Sequence, residues 1–190
     1  AKSLEGRGIS TLTNLTPGTS FAEALVVDSL GNTYITGFSN DTVDFDPGPN
    51  QVLLHAGNDD VYLAKYDKQG NYLWAHVFES IGGNYGTKLK LDKQGNIVLA
   101  GYAQNTADFD PSSNVALLGN MATPNYVFIA KFSSSGNYMW GKEIGNNFGT
   151  MLGGLAIDDN NNIHITGHFY GTIDMDPSAS EALLISNETG

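Results

Sequence analysis

The chain reads as an all-β repeat protein, and three observations carry that reading. The first is self-similarity. At an offset of 64, Asp28, Gly31, Asn32, Gly37, Asp44, Phe45, Asp46 and Pro47 fall on Asp92, Gly95, Asn96, Gly101, Asp108, Phe109, Asp110 and Pro111. A further offset of 66 brings most of these positions round again as Asp158, Gly167, Asp174, Asp176 and Pro177. The second half of the unit also recurs, Ala64, Lys65, Gly70, Asn71, Tyr72 and Trp74 returning as Ala130, Lys131, Gly136, Asn137, Tyr138 and Trp140. The second observation is that the apolar pattern inside the unit has a period of two, with no helical pattern longer than two turns. The third is the placing of Gly and Asn at the same turns in each copy. A repeat of about 65 residues fixes the architecture before any local propensity does.

Residues 1–21 match the unit poorly and form either a lead-in or the end of a preceding unit. Ile9 to Leu15 alternates weakly and allows one short strand before the Pro17-Gly18 turn. Residues 22–85 are the first unit. Ala24 to Val27 is a short apolar strand, and Asp28-Ser-Leu-Gly31-Asn32 is a turn whose Gly and Asn supply positive φ. The return strand, Asn32 to Phe38, carries the Thr, Tyr and Ile that suit a pleated, half-buried surface. Val61 to Tyr66 is a third strand. Lys68-Gln-Gly70-Asn71 turns it into a fourth, Tyr72 to Phe78, with Tyr72, Trp74 and Phe78 on one face at period two. Residues 86–151 are the second unit, with Lys93-Gln-Gly95-Asn96 at the first turn. Residues 152–190 are a partial third, with Asp159-Asn-Asn-Asn162 there.

Four antiparallel strands per unit describe a blade, and blades of this kind close radially as a β-propeller or stack as a solenoid. Large aromatics on the fourth strand favour the propeller, because neighbouring blades must fill a gap that widens outwards. Two complete units and half of a third are present. After Leu183 and Leu184, which align with Leu53-Leu54 and Leu117-Leu118, no copy of VYLAKYD or NYLW follows. A propeller closes with at least four blades, so the expectation is an incomplete ring, completed by the remaining blades of a longer chain or by other subunits.

Composition excludes several functions. The formal charge of -11 comes from 9 basic and 20 acidic residues, and gives no basic face for nucleic acid or an anionic membrane. There is no cysteine, so neither disulfides nor thiolate metal sites are available. No apolar run approaches the roughly 20 residues that span a bilayer, and the start AKSLEGRGIS lacks a signal-peptide apolar region. The expectation is a soluble chain, without membrane insertion, whose export signal is removed or lies elsewhere.

The motifs D28SLGNTYITG37, D44FDPG48 and D60VYLAKYDKQGNYLW74 resemble the SBBP repeats, named for seven-bladed β-propellers, over roughly residues 22 to 190. The second copy departs at Asn125-Tyr-Val-Phe, where the acidic residue before the strand is lost, and the third has Met175 in place of Phe. Repeats of this kind are frequent in secreted and cell-surface bacterial proteins, often beside a sorting domain for type IX secretion, of which these residues carry no copy. The resemblance therefore implies an extracellular location.

The strongest chemical candidate is the acidic turn D-[FM]-D-P. Residues i and i+2 of an extended segment point the same way, so the pairs Asp44 and Asp46, Asp108 and Asp110, and Asp174 and Asp176 would each present two carboxylates to one point. That is half of a calcium site, and backbone carbonyls, water and the neighbouring Ser and Asn oxygens would complete it. The structural alternative is that these Asp residues cap turns through backbone amides. His164 and His168 carry the spacing of two helical metal ligands but align with Tyr34 and Phe38 on a strand, where four residues hold them roughly 13 Å apart. Trp74 and Trp140 have the look of sugar-stacking platforms, yet their recurrence at one blade position marks them as packing residues. Asp28-Ser29-Leu30 and Asp41-Thr42-Val43 resemble bacterial O-glycosylation sites and serve equally as turns. No nucleophile motif or phosphate loop is present. The function expected is a non-enzymatic scaffold for binding or surface display of a protein or glycan partner. The alternative is a propeller lyase or hydrolase acting on polysaccharide from the central funnel.

Overall fold

The computed structural model describes residues 20–119, 125–145, 150–176, 178 and 180–186, and all of its regular structure is β. The strand expected at Ile9 to Leu15 lies outside the described residues. Ser20–Val27 (β1), Thr33–Asp44 (β2), Leu53–Tyr66 (β3) and Tyr72–Phe78 (β4) form one antiparallel four-stranded sheet in the order β1-β2-β3-β4. Asn84–Leu91 (β5), Ile97–Ala103 (β6), Tyr126–Phe132 (β9) and Tyr138–Ile144 (β10) form a second in the order β5-β6-β9-β10. Ala107–Asp108 (β7) and Leu117–Leu118 (β8) make a short hairpin between β6 and β9. Met151–Ile157 (β11) pairs with Ile163–His168 (β12), and Thr172–Asp174 (β13) with Leu183–Ile185 (β14). The expected all-β, antiparallel organisation is present, and the order of strands repeats from one sheet to the next.

The hairpin turns form where the sequence placed them. Gly31, Gly70, Gly95 and Gly136 have φ of 86°, 86°, 78° and 86°, and in the fifth turn Asn161 takes the role with φ of 63°. Glycine at 37, 101 and 167 answers a different demand. The pairings of β1, β5 and β11 with the strands that follow them each carry a bulge, between Ala22 and Ala24, Gly86 and Lys88, and Leu152 and Gly154. The bulge pushes a carbonyl towards the neighbouring strand. A Cβ on Gly37, Gly101 or Gly167 would collide with the carbonyl oxygen of Phe21, Tyr85 or Met151.

The sheets stack face to face. One apolar cluster joins Tyr34, Val61, Leu63 and Phe78 of the first sheet to Leu89, Leu99, Phe128 and Phe132 of the second. Another joins Val98, Ala100, Val127 and Ile129 of the second sheet to Leu152 and Leu155 of β11. A third, with Ile35, Tyr62, Ala64 and Tyr66, lies on the other face of the first sheet. The repeat offsets convert these clusters into one another: Ile35, Tyr62, Ala64 and Tyr66 fall on Leu99, Phe128, Ala130 and Phe132. Each sheet thus turns one set of repeat positions to the sheet before it and the complementary set to the sheet after it.

Two strands run longer than their apolar patterns suggest. β2 and β3 continue past a register shift between Ser39 and Asp41, so that Asp41–Asp44 pairs with Leu53–Ala56 as a hairpin. Val43, Phe45 and Leu54 of this hairpin pack over the face of their own sheet. The β7–β8 and β13–β14 hairpins are its equivalents, and they fill the spaces between sheets. Phe109 stands 5.4 Å from Phe78 of the first sheet and 4.5 Å from Phe128 of the second, ring centroid to ring centroid. Ile173 packs in the second inter-sheet cluster.

The fourth strand corrects one detail. Tyr72, Trp74 and Phe78 do not share a face: the register skips Leu73, pairing Lys65 with Trp74 and Tyr66 with Tyr72. The skip turns Tyr72 to the cluster of Tyr62 and Tyr66, while Trp74 and Phe78 face the second sheet. Tyr138 and Trp140 are separated by the same shift, onto opposite faces of the second sheet. Both tryptophans are half-buried against an inter-sheet cluster, and Trp74 stacks on His76 with centroids 5.1 Å apart.

Candidate functional site

The acidic turns lie at the tips of the hairpins. Asp44, Asp108 and Asp174 are the last residues of β2, β7 and β13. Asp44 Oδ1 accepts hydrogen bonds from the N–H of Asp46 (3.0 Å) and of Val52 (2.9 Å). Asp108 Oδ1 accepts from Asp110 (3.0 Å) and Ala116 (2.8 Å), and Asp174 Oδ1 from Asp176 (3.0 Å) and Ala182 (2.9 Å). The second Asp of each pair accepts from the amide two residues on: Asp46 from Gly48, Asp110 from Ser112, Asp176 from Ser178. The residue between the two carboxylates anchors the hairpin, since Phe45 and Phe109 are fully buried while Met175 is 38% exposed. Ser112 holds the Asp110 carboxyl below the usual carboxylate range, through its side chain and then its amide, and Ser178 does the same for Asp176. Among the described residues, no three acidic or His side chains converge into a group able to hold a metal ion.

The turns at the opposite end of the strands are also built on aspartate. Asp28 Oδ1 accepts from the N–H of Leu30 (2.9 Å) and Asn32 (2.8 Å), and Oδ2 from the Asn32 side-chain amide (2.8 Å). Asp67, Asp92 and Asp158 repeat all three bonds, with Gln69 and Asn71, Gln94 and Asn96, and Asn160 and Asn162 as donors. Ser133 stands at the fifth such position, where its hydroxyl accepts from the Asn137 N–H (3.2 Å) and shares a hydrogen bond with the Ser135 hydroxyl (2.8 Å). Burial pushes the Asp28 carboxyl up, but the bonds from Asn32, Leu30 and Tyr34 outweigh it and hold the group ionised below the ordinary range. Asp92 is held down in the same way, against burial, by Lys131 at 2.8 Å and by Asn96 and Gln94. The sequence signal for these clamps was the recurrence of Asp four residues before Asn, overshadowed by the more conspicuous Gly-Asn.

Two further features were not visible in the sequence. Asp60 is fully buried, and its carboxylate accepts from the Gly57 N–H (2.7 Å), the Ser80 N–H (3.0 Å) and the Ser80 hydroxyl (2.9 Å). It pins the exit of the first sheet to its third strand, and burial raises its pKa despite those bonds. Between sheets, Lys93 pairs with Asp159 at 2.9 Å and Asn161 bonds to Gln94 at 2.9 Å, so consecutive β-turns touch. His164 and His168 sit on one strand with different partners. His164 Nε2 lies 3.3 Å from Asp158 Oδ2, and the His168 ring is edge-on to Tyr170.

What the arrangement supplies chemically is an acidic array of hydrogen-bonded turns at both ends of stacked sheets. The clamping carboxylates accept backbone N–H groups, which holds the loop shape. No family model matches the chain. It is 24% identical over 170 residues to an uncharacterised WD repeat-containing protein of Acanthamoeba polyphaga mimivirus, an alignment covering 77% of this chain and 12% of that protein. The chain thus spans a small part of the length of the curated relative it matches.

Proposed function

We propose that the chain is a section of a β-propeller that serves as a non-enzymatic binding scaffold for a protein or glycan partner. The observation that carries the reading is the stacking. β5 lies against β1, β2 and β3, and β11 lies against β5 and β6, so the innermost strands of successive sheets adjoin. Phe109 sits between Phe78 of the first sheet and Phe128 of the second, and Ile173 packs among residues of the second sheet and β11. A radial array needs that wedge, because facing sheets diverge away from the axis. Similarity to a protein named for WD repeats supports the same architecture and, with it, a role in holding partners. Each four-stranded sheet is then one blade, and the units at 22–85, 86–151 and 152–190 are two blades and part of a third. The resemblance to SBBP repeats adds a secreted or cell-surface location and a bacterial type IX route. The six hairpin aspartates act as loop clamps, and calcium binding by the same pairs is the alternative that melting with calcium and with chelator decides.

The immobilised chain, challenged with a glycan array and with polysaccharides under assay for new reducing ends or unsaturated products, tests the function. Saturable binding without turnover is expected. Turnover that survives purification to homogeneity would replace the scaffold with the lyase or hydrolase alternative. Small-angle scattering tests the architecture, since a radial wedge and a straight stack of the same sheets have different distance distributions.

A further inference from the structure

The two ends of the stacked sheets differ in charge. Lys65, Lys68, Lys90, Lys93 and Lys131 stand in or beside the clamped turns and balance the aspartates there. At the hairpin end Lys142 is the one lysine or arginine among the described residues, set against the six hairpin aspartates, Glu79, Glu143 and Glu181. Most of the formal charge of -11 therefore lies at that end. Exposed leucines repeat at the same end. Asp44, Asp108 and Asp174 pair across their hairpins with Leu53, Leu117 and Leu183, which are 54%, 58% and 54% exposed. The three hairpins have different neighbours, and the middle one lies between two described sheets, so the exposure belongs to the repeat itself.

At the junction of the first two sheets this surface widens. The chain leaving β4 runs beside β7: Ser80 bridges Ala107, the Asp108 N–H donates to the Glu79 carbonyl (3.5 Å), and the Ile81 N–H to the Thr106 carbonyl (3.4 Å). β7 pairs in turn with β8, and beyond it the Phe109 N–H donates to the Ala116 carbonyl (3.2 Å). Ala107, Phe109 and Leu118 turn inwards to the inter-sheet cluster. By the alternation of extended chain, the residues between them turn outwards. Glu79, Asp108 and Leu117 then form one row, with Ile81 to one side of it and Asp110 and Val115 to the other. Ile81 is 64% and Val115 69% exposed. Carboxylates and apolar side chains thus alternate over one small three-stranded face.

We propose that this outward face docks an extended segment of a partner protein that presents lysine or arginine and apolar side chains in turn on one side. The proposal rests on the scaffold reading above and names its surface and its partner. Charge complementarity selects the occupant. A purely apolar segment would take Glu79, Asp108 and Asp110 out of water without a counter-charge, which is costly. A purely basic one would leave Ile81, Val115 and Leu117 in solvent, and salt would screen what remained. A segment carrying both satisfies every group on the face, and the excess negative charge of the hairpin end speeds its approach.

Fluorescence anisotropy of labelled dodecapeptides with the 190-residue chain at about 1 to 200 µM, a span covering weak to moderate contacts, tests it. The probe is Lys-Thr-Val-Thr repeated three times, and Lys-Thr-Thr-Thr repeated three times carries the charge alone. Saturable binding of the first is expected, about tenfold tighter than the second. Ile81→Ser and Leu117→Ser should each remove most of that difference while keeping the wild-type circular dichroism spectrum, since both side chains are exposed. Glu79→Gln should weaken binding and flatten its dependence on salt. Leu30→Ser, in a turn at the opposite end, should change nothing. The proposal is overturned if neither peptide binds, if the two bind equally, or if binding is indifferent to both Ile81→Ser and Leu117→Ser. In each of those cases saturable binding on the glycan array without turnover keeps the scaffold and discards only this surface, whereas turnover of polysaccharide fails the scaffold itself.

Discussion

Asp44 Oδ1 accepts the backbone N–H of Val52, eight residues along the chain, at 2.9 Å, and so closes the tip of the first hairpin. The same bond runs from Ala116 to Asp108 and from Ala182 to Asp174. Removing the carboxylate orphans two amides, which costs about 1–3 kcal/mol where water replaces them poorly. Asp44→Ala and Asp108→Ala are each expected to lower stability by that amount in urea melts. Millimolar calcium should leave the wild-type midpoint where chelator leaves it. A calcium-dependent rise that disappears in Asp46→Asn or Asp110→Asn would assign the turns to the ion instead.

The glycines divide into two kinds, and substitution distinguishes them. Gly101→Ala drives a methyl group into the Tyr85 carbonyl across a bulge whose position is fixed by pairing on both sides. At least about 3 kcal/mol is expected, at the upper end of overpacking costs. Gly95 has a φ of 78° but nothing near a Cβ. Gly95→Ala should cost only the left-handed backbone penalty of about 1–2 kcal/mol. Equal effects in chemical denaturation would mean that the bulge can move.

Phe109 is the anchor of the hairpin lodged between the first two sheets, in contact with Phe78 and Phe128. Phe109→Ala is expected to cost about 3–5 kcal/mol, as other fully buried phenylalanines do. Met175, at the same repeat position in the third unit, is 38% exposed. Met175→Ala should cost less than about 1 kcal/mol, the range of surface changes away from special features. Comparable losses for the two would show the hairpins equally engaged.

His76 is packed between Trp74 and the turn at Gly136. Burial pushes its pKa below the ordinary 6.5, and a bond with the Gly136 backbone offsets only part of that. The unfolded chain then binds the proton more readily than the folded one, so stability is complete above about pH 6.5 and falls as the pH drops below it. The depressed carboxylates Asp28 and Asp92 are lost only in the more acidic range below their ordinary pKa near 4. Melting temperatures should therefore decline between pH 7.5 and 5.5 in the wild type, and much less in His76→Gln. An identical slope in both places the titration elsewhere.

The sequence by itself determined the repeat, the β class, the turns and the pairing of strands within a unit. These depend on neighbours a few residues apart. A glycine or asparagine at positive φ, a period of two, and an aspartate four residues before an asparagine act within one hairpin, and any hairpin with those residues closes in the same way. The two readings of the D-[FM]-D-P turn could also be stated from sequence, because a carboxylate two residues from another either converges with it or bonds the local amides. The residue that pairs with Asp44 at the far side of the loop, Val52, came from the folded hairpin alone.

Tertiary structure decided which face each side chain serves. Tyr72 and Trp74 part company because a strand paired on one edge skips Leu73, and no local pattern signals a skip that its neighbour imposes. Phe109 became a wedge, and Lys131 the partner of a buried Asp92, only when distant strands were brought side by side. The exposure of Leu25 against the burial of Leu89 was decided in the same way. The two residues have the same identity and the same place in the repeat, and they differ in whether a sheet of the described residues lies upon them.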